Sequence, residues 1–423
     1  MNLPSMTPGA PGRRLAVAVM AMLALSTFLN YVDRQILSLL AQPVMRALAM
    51  DDKAYALVVT CFMVAYTLGN LGGGLLVDRL GAVRATPVFV GAWSAAGCLS
   101  GLAHDLPQLA ASRFLLGLFE TGSFVAAPVV VGLFLPPHRK AFGIGAYTAA
   151  AMLGAAVSPP VITAIDAAVG WRAAFLLLGA AGLCWVAVWC MLPLREAAAG
   201  AARAPGATAS RAGLTDLAGW RDVLCEPKVW GVAVGTMLSF PVWFFYLNWF
   251  PRYLTDERGL STLQMGRRAW VVYLAAGLGS LAAGPALSWL ARRGLAPVRG
   301  RLVLMGAIAV LGPVGAVNGL QPPIEVSLAS AAVVAFLHMA WQVTMTSLPL
   351  ELFTPRSVGK VFAVSGVSNG VGGVVSTWLV GQLVAEVSYR PMFLVMACAY
   401  AVALAVLCAL LARRPSTPAA GRA

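Results

Sequence analysis

Gly74-Leu75-Leu76-Val77-Asp78-Arg79-Leu80-Gly81-Ala82-Val83-Arg84 joins two long apolar runs, at about 54–77 and 85–103. A run of roughly 20 apolar residues is long enough to cross a bilayer as a helix. The charged centre of the stretch therefore reads as a short turn between two membrane helices. Gly74 permits close helix approach, and Gly81 permits a tight turn. Asp78 can cap a neighbouring helix N-terminus and pair with a basic residue, a latch that breaks when the halves rock.

The same pattern repeats outward in both directions. The chain has 423 residues, 60% of them hydrophobic and only 11% charged, where soluble domains carry roughly 25% charged residues. Its mean hydropathy is +0.80. Twelve spans are expected, at about 15–41, 54–77, 85–103, 108–134, 142–168, 172–192, 229–254, 268–290, 301–320, 322–350, 358–385 and 390–412. One long hydrophilic stretch, Leu194–Lys228, splits them six and six. The expected organisation is a helical bundle over 1–192, a cytoplasmic linker over 193–228 and a second bundle over 229–423. Basic residues such as Arg14, Arg79, Arg84, Arg139, Lys140, Arg292, Arg293 and Arg413 fall on one side of this arrangement. By the positive-inside rule both termini are expected in the cytoplasm.

Several function classes drop out. A net charge of +14 suggests nucleic acid in a soluble protein, but here the basic residues follow the loops, and no nucleic-acid partner is expected. Seven scattered cysteines and three separate histidines give no metal or disulfide spacing. No Walker loop or nucleophile triad occurs, so neither catalysis nor a cofactor is expected. The apolar run after Arg14 is too long for a signal peptide and is read as a retained span.

The two halves echo each other. Trp171-Arg172-Ala173-Ala174-Phe175 opens the sixth span, and Tyr389-Arg390-Pro391-Met392-Phe393 opens the twelfth. The Gly74–Gly81 loop has a degenerate copy at Gly284–Gly294. Pro137 and Gly154 match Pro355 and Gly372 at one offset. Such repeats predict two related six-helix bundles with a site between them at the bilayer midplane.

The Gly74–Arg84 loop resembles the signature loop of the major facilitator superfamily. Asn30-Tyr31-Val32-Asp33-Arg34-Gln35 is similar to the Asn-Tyr-x-Asp-Arg pattern of the anion:cation symporter family within it. Arg113-Phe114-Leu115-Leu116-Gly117-Leu118-Phe119-Glu120 resembles that family's Arg-Phe-x-x-Gly-x-x-Glu. The stretch Pro241–Pro251 resembles that family's seventh span, and Leu278-Gly279-Ser280 with the basic loop after Trp289 resembles the hexuronate and sugar-acid branch. The resemblance covers nearly the whole chain. It implies an all-α membrane protein of twelve transmembrane helices in two pseudo-symmetric six-helix bundles. It also implies proton-coupled import of an organic anion such as a hexuronate, aldonate or aldarate, by a monomer in the inner membrane. Two departures stand out: Val129 lies near the place of a Lys common in the branch, and Ala149, Ala150 and Ala151 replace polar residues. Fewer polar groups fit a substrate with fewer hydroxyls, or one bound differently. Export of a drug-like or metabolite substrate, import of an aromatic or other carboxylate, and a transporter-like sensor are the alternatives.

Asp33 and Arg34 sit mid-span, where each charge costs roughly 2.5–3.5 kcal/mol on insertion scales. An anion in a low-dielectric cavity needs a fixed cation, and the planar fork of Arg suits a carboxylate. Arg34 is the expected carboxylate ligand, and Arg113 either a second ligand or a partner of Glu120. A static ion pair joining spans one and four is the competing reading. Asp33 and Glu120 are the candidates for proton coupling, since burial disfavours a charged carboxyl and a neighbouring Arg favours it. Tyr31 and Tyr66 in the first half, and Tyr246, Asn248 and Asn369 in the second, are expected to complete the pocket. Trp243, Trp249 and Trp341 are candidates to cover a sugar ring, and Gln342, Thr344 and Thr346 to hydrogen-bond ligand or neighbouring helices. Gly74, Asp78, Arg79, Gly81 and Arg84 form the gating motif.

Overall fold

A computed structural model describes residues 13–135, 137–194 and 217–413. Twelve long helices dominate it, and there is no strand among the described residues. They are α1 (Arg13–Leu39), α2 (Asp52–Leu80), α3 (Ala82–Gly101), α4 (Leu106–Phe134), α5 (Pro137–Val169), α6 (Trp171–Met191), α7 (Pro227–Asn248), α8 (Thr262–Arg292), α9 (Pro297–Leu311), α10 (Ile324–Ser347), α11 (Pro355–Glu386) and α12 (Arg390–Leu411). Ten of them are long and apolar enough to cross a membrane. The other two, α2 and α3, are 29 and 20 residues long. In α3, Arg84, Pro87, Ser94 and several glycines dilute the apolar character, whereas residues 54–71 of α2 carry no charged side chain.

Local chemistry explains where the helices start and stop. The Asp51 carboxylate accepts from the Ala54 amide at 2.7 Å, and Asp105 accepts from the Gln108 amide at 2.8 Å. Each satisfies an amide that the first turn of α2 or α4 leaves without a helical partner. Gly81 turns α2 into α3 at φ +77°, a left-handed conformation that a side chain strains. The ninth span changes character midway: α9 ends at Leu311 and a 3-10 helix, Gly312–Leu320, continues it. Pro313 and two further glycines in that segment disfavour a regular α-helix.

The chain forms two compact units. One holds α1–α6 with the opening turns of α8, Thr262–Trp270. The other holds α7, the rest of α8, and α9–α12. In the first unit α2 packs on α4, α1 on α5, and α3 on both α4 and α6; in the second, α7 packs on α11 and α12. Thr262–Trp270 joins the first unit through Gly266, whose missing side chain admits Thr163 and the Pro159 carbonyl.

Glycine sets the closest contacts, in matching pairs. A Cβ at Gly154 of α5 stands 2.5 Å from the Phe28 carbonyl oxygen of α1; one at Gly372 of α11 stands 2.5 Å from that of Met237 in α7. Gly69 of α2 lies against the Leu118 carbonyl of α4, and Gly279 of α8 against the Phe336 carbonyl of α10. The aromatic-Arg repeat has a matching role as well. Arg172 donates to the Ala103 carbonyl at 2.8 Å, while Arg390 donates to Gln321 Oε1 at 3.0 Å. Each arginine thus anchors the last helix of its unit to the turn between that unit's third and fourth helices. Gly74 departs from expectation: nothing lies within 4 Å of a Cβ placed there. The close approach expected of it occurs at Gly69, nearer the middle of α2.

Candidate functional site

The four ionisable residues expected in the first half share one neighbourhood on α1 and α4. Asp33, Arg113 and Glu120 are buried, and the Arg34 side chain keeps 12% exposure. Neighbouring positions on a helix point about 100° apart, so Asp33 and Arg34 face different partners. Asp33 faces α3, with Oδ1 3.3 Å from a Cβ placed at Gly97. Arg34 faces α4, and its Nε donates to Glu120 Oε1 at 3.1 Å. The competing reading of Arg34 as an internal partner of Glu120 thus describes a real contact.

That contact leaves capacity unused. Arg34 Nη2, Glu120 Oε2, both Asp33 oxygens, and Arg113 Nε and Nη2 have no hydrogen-bond partner. A buried polar group left unpartnered costs roughly 1–3 kcal/mol, and more when charged. Six such atoms in one neighbourhood are poor structural economy and suit a site that binds something else.

Aromatic rings frame the guanidinium. Arg34 Cζ lies 4.7 Å from the Tyr66 ring centroid, 5.3 Å from Tyr31 and 5.9 Å from Phe124. These distances suit cation–π attraction, which holds the fork in place without consuming its N–H donors. Arg113 is set apart, with Cζ 4.8 Å from the Phe175 ring of α6 and only 2% exposure. Gln35, the last residue of the α1 motif, donates to the Ala155 carbonyl at 3.2 Å and to Ser158 Oγ at 3.3 Å, tying α1 to α5.

The second unit splits its candidates. Asn369 lines a cavity of about 160 Å³ together with Gln342, Thr346, Ser365, Thr236 and Phe362. Asn369 Oδ1, Gln342 Oε1 and Ser365 Oγ lack partners. Ser365 was not anticipated from sequence; it lies one helical turn before Asn369 on α11, the only clue available. Tyr246 is not brought to this cavity. It is 2% exposed, packed among Phe245, Phe250 and Phe393, with its hydroxyl 2.8 Å from a Cβ placed at Gly315. Asn248 donates to the Phe244 carbonyl of its own helix at 3.1 Å. Trp341 is fully buried against Tyr400, and Trp249 is buried beside Arg252, so neither offers a ring face to a ligand. In the gating motif, Arg79 and Arg84 are exposed, whereas the Asp78 side chain lies outside the described residues. So do the side chains of Arg139 and Lys140, and residues 195–216 of the linker.

Comparison with known proteins agrees with this architecture. Residues 23–349 match the family model of the Major Facilitator Superfamily. The D-galactonate transporter of Escherichia coli O6:H1 is 26% identical over 412 residues, covering 92% of this chain and 94% of that protein. The hexuronate transporter of Escherichia coli K12 is 22% identical over 397 residues, covering 90% of each. In fold, the chain resembles a bacterial homolog of the human lysosomal transporter Spinster in its inward-facing, unoccupied conformation. The TM-score is 0.71 at 17% identity, over 95% of this chain and 96% of that one. The chain belongs to the Major Facilitator Superfamily. It is a multi-pass membrane transporter related to sugar-acid transporters, and not an enzyme.

Proposed function

We propose that this transporter imports an organic anion, a sugar acid or a related carboxylate, together with protons. The observation that carries the reading is Arg34: a guanidinium in the middle of a membrane helix, framed by Tyr31, Tyr66 and Phe124, with Nη2 unpartnered. A planar fork with a donor in reserve suits a carboxylate. The names of the galactonate and hexuronate relatives support the same substrate class.

Glu120 supplies the coupling in this reading. Taking a proton removes its charge and releases Arg34 from the 3.1 Å contact. The freed fork then receives the substrate carboxylate. Asp33, which faces α3 and makes no hydrogen bond, is the second proton site. Arg113 balances the acids from α4, and Asn369, Gln342 and Ser365 offer neutral hydrogen bonds to substrate hydroxyls. Tyr246 and Asn248 serve packing. Gly81, Arg79, Arg84, Asp78 and Gly74 act as the gating loop of an alternating-access cycle, in a monomer of the inner membrane with both termini in the cytoplasm.

Uptake by proteoliposomes tests the reading. With an acidic exterior, radiolabelled D-galactonate or D-glucuronate should accumulate, and an uncoupler should abolish accumulation. Arg34→Ala should remove uptake of every anion. Retained transport of a neutral or drug-like compound by Arg34→Ala would favour an exporter of such compounds. Unchanged proton dependence in both Asp33→Asn and Glu120→Gln would refute the coupling role.

A further inference from the structure

The charged residues are not the only unpartnered groups inside the first unit. Asn30 and Trp93 are 1% exposed, and Ser94 is fully buried. Neither end of the Asn30 amide has a hydrogen-bond partner, nor do Ser94 Oγ and Trp93 Nε1. Helix geometry gathers them around Asp33. Its carboxylate oxygens lie 3.3 and 3.6 Å from a Cβ placed at Gly97 of α3. One helix separates α1 from α3 in the chain, so the two run in the same direction. Three residues back on each, Asn30 comes level with Ser94, and Trp93 lies one turn before Gly97 on the same face. Asn30 is also about 200° round α1 from Phe28, which meets α5, so it points into the bundle. α1 and α3 are not a closely packed pair. Side chains, rather than backbone contact, fill the space between them.

The groups around that space both give and accept hydrogen bonds. Asp33 offers two acceptors, Trp93 one donor, and Asn30 and Ser94 some of each. Arg113 adds Nε and Nη2 from one end. Its Cζ is 4.8 Å from the Phe175 ring, and the Phe175 Cβ is 2.9 Å from a Cβ placed at Gly101, one turn beyond Gly97. An anion here meets the Asp33 carboxylate, and a metal cation meets the Arg113 charge and the indole N–H. Water gives and accepts, and a buried water makes about three hydrogen bonds to groups of this kind. Dry packing fits poorly, since leucine and alanine would fill the places of Asn30 and Ser94 without orphaned atoms.

We infer that Asn30, Ser94 and Trp93 hold internal water against Asp33, and that Asn30 is the residue that positions it. The water site follows from the packing of the first unit; its use in transport rests on the proton-coupling reading. Asn30 precedes Asp33 by three residues and Arg34 by four, so it stands one turn below both. A hydrated proton at the site passes one proton to an Asp33 oxygen and leaves neutral water; the reverse step takes it back. The charged and titratable groups that bear on Asp33 are Arg34 of its own helix, Cys98 of α3, and Arg113 and Glu120 of α4. The proton thus reaches Asp33 on its α3 side, while Arg34 works on the α4 side against Glu120.

Hydroxyl-radical footprinting of the purified full-length protein tests the water directly, because X-ray radiolysis makes the radicals from water in place. Trp93 should be oxidised despite its 1% exposure. Asn30→Leu combined with Ser94→Ala removes two of the water's partners and should abolish that oxidation. Trp93 left unoxidised in wild type, or oxidised equally in the double variant, overturns the inference. Uptake of D-galactonate by proteoliposomes reads the role of Asn30. Asn30→Leu should slow accumulation driven by an acidic exterior by about tenfold or more, while exchange of labelled for unlabelled substrate persists. Asn30→Ser, which keeps a group that gives and accepts a hydrogen bond, should restore the accumulation. Equal losses of accumulation and exchange, without rescue by serine, overturn the positioning role. If wild type shows no proton-driven accumulation, the coupling reading falls, and oxidation of Trp93 alone decides the water site.

Discussion

Arg34 Nε donates to Glu120 Oε1 at 3.1 Å across the α1–α4 contact, while Arg34 Nη2 and Glu120 Oε2 both lack a partner. A bidentate Arg–carboxylate pair would satisfy both residues and hold them shut. This pair is engaged through one hydrogen bond and keeps a donor and an acceptor in reserve. That arrangement suits a guanidinium that changes partner during a cycle better than a permanent rivet between helices.

Removing one member should therefore affect stability and transport separately. Arg34→Ala leaves Glu120 buried without its cation and should lower stability by about 3–5 kcal/mol. Adding Glu120→Gln should recover much of that loss without recovering uptake. Thermal unfolding in detergent and uptake in proteoliposomes, run on both variants, check the two halves of the prediction. Equal stability of Arg34→Ala and wild type would show that the pair bears no load.

Charge-neutral replacement of the acids should separate coupling from binding. In Glu120→Gln, accumulation driven by an acidic exterior should be lost, while exchange of labelled for unlabelled substrate persists. On the proposed coupling, wild-type uptake should rise as external pH falls, and the variant's rate should be flat. Asp33→Asn should flatten the same profile in part. Rates measured at a series of external pH values decide it.

The paired glycines predict paired damage. Gly154→Ala and Gly372→Ala each force a methyl to within 2.5 Å of a carbonyl oxygen on the neighbouring helix. Each should cost about 1–3 kcal/mol, the scale of overpacking. Gly74→Ala meets nothing within 4 Å and should leave the unfolding midpoint unchanged or slightly higher. Midpoints measured side by side test the contrast.

The cavity on α10 and α11 predicts a graded loss. Asn369→Ala removes a hydrogen-bonding group with an unused acceptor and should weaken substrate binding by about 1 kcal/mol, roughly fivefold. Tyr246→Phe lies away from that cavity and should leave KM unchanged while lowering stability. Isothermal titration with D-galactonate reads the first effect, and thermal unfolding reads the second.

Much of this protein is legible without coordinates. Hydropathy has to persist for about 20 residues wherever a helix meets lipid, so the spans show in the chain itself. Charge in mid-span is costly enough that Asp33, Arg34, Arg113 and Glu120 stand out from hundreds of apolar neighbours. The repeat also shows, because the Trp171-Arg172 and Tyr389-Arg390 anchors must each reach a turn of their own unit.

Pairing is another matter. Asp33 and Arg34 are adjacent in sequence, yet helical rotation sends one to α3 and the other to Glu120, 86 residues away. Tyr246 and Asn369 are equally plausible ligands as residue types. Packing puts the first into an aromatic cluster and the second beside an unfilled polar cavity. His338 carries no spacing signal at all, and its stack on Trp243 and its contact with the Tyr400 hydroxyl appear only in the folded chain. The sequence by itself determined that this chain is a twelve-helix membrane protein with a buried charge cluster, because lipid penalises every polar exception. Which charge meets which, and which candidate ring is packed into the core, only the tertiary structure decided, because those depend on the rotation and closeness of helices far apart in the chain.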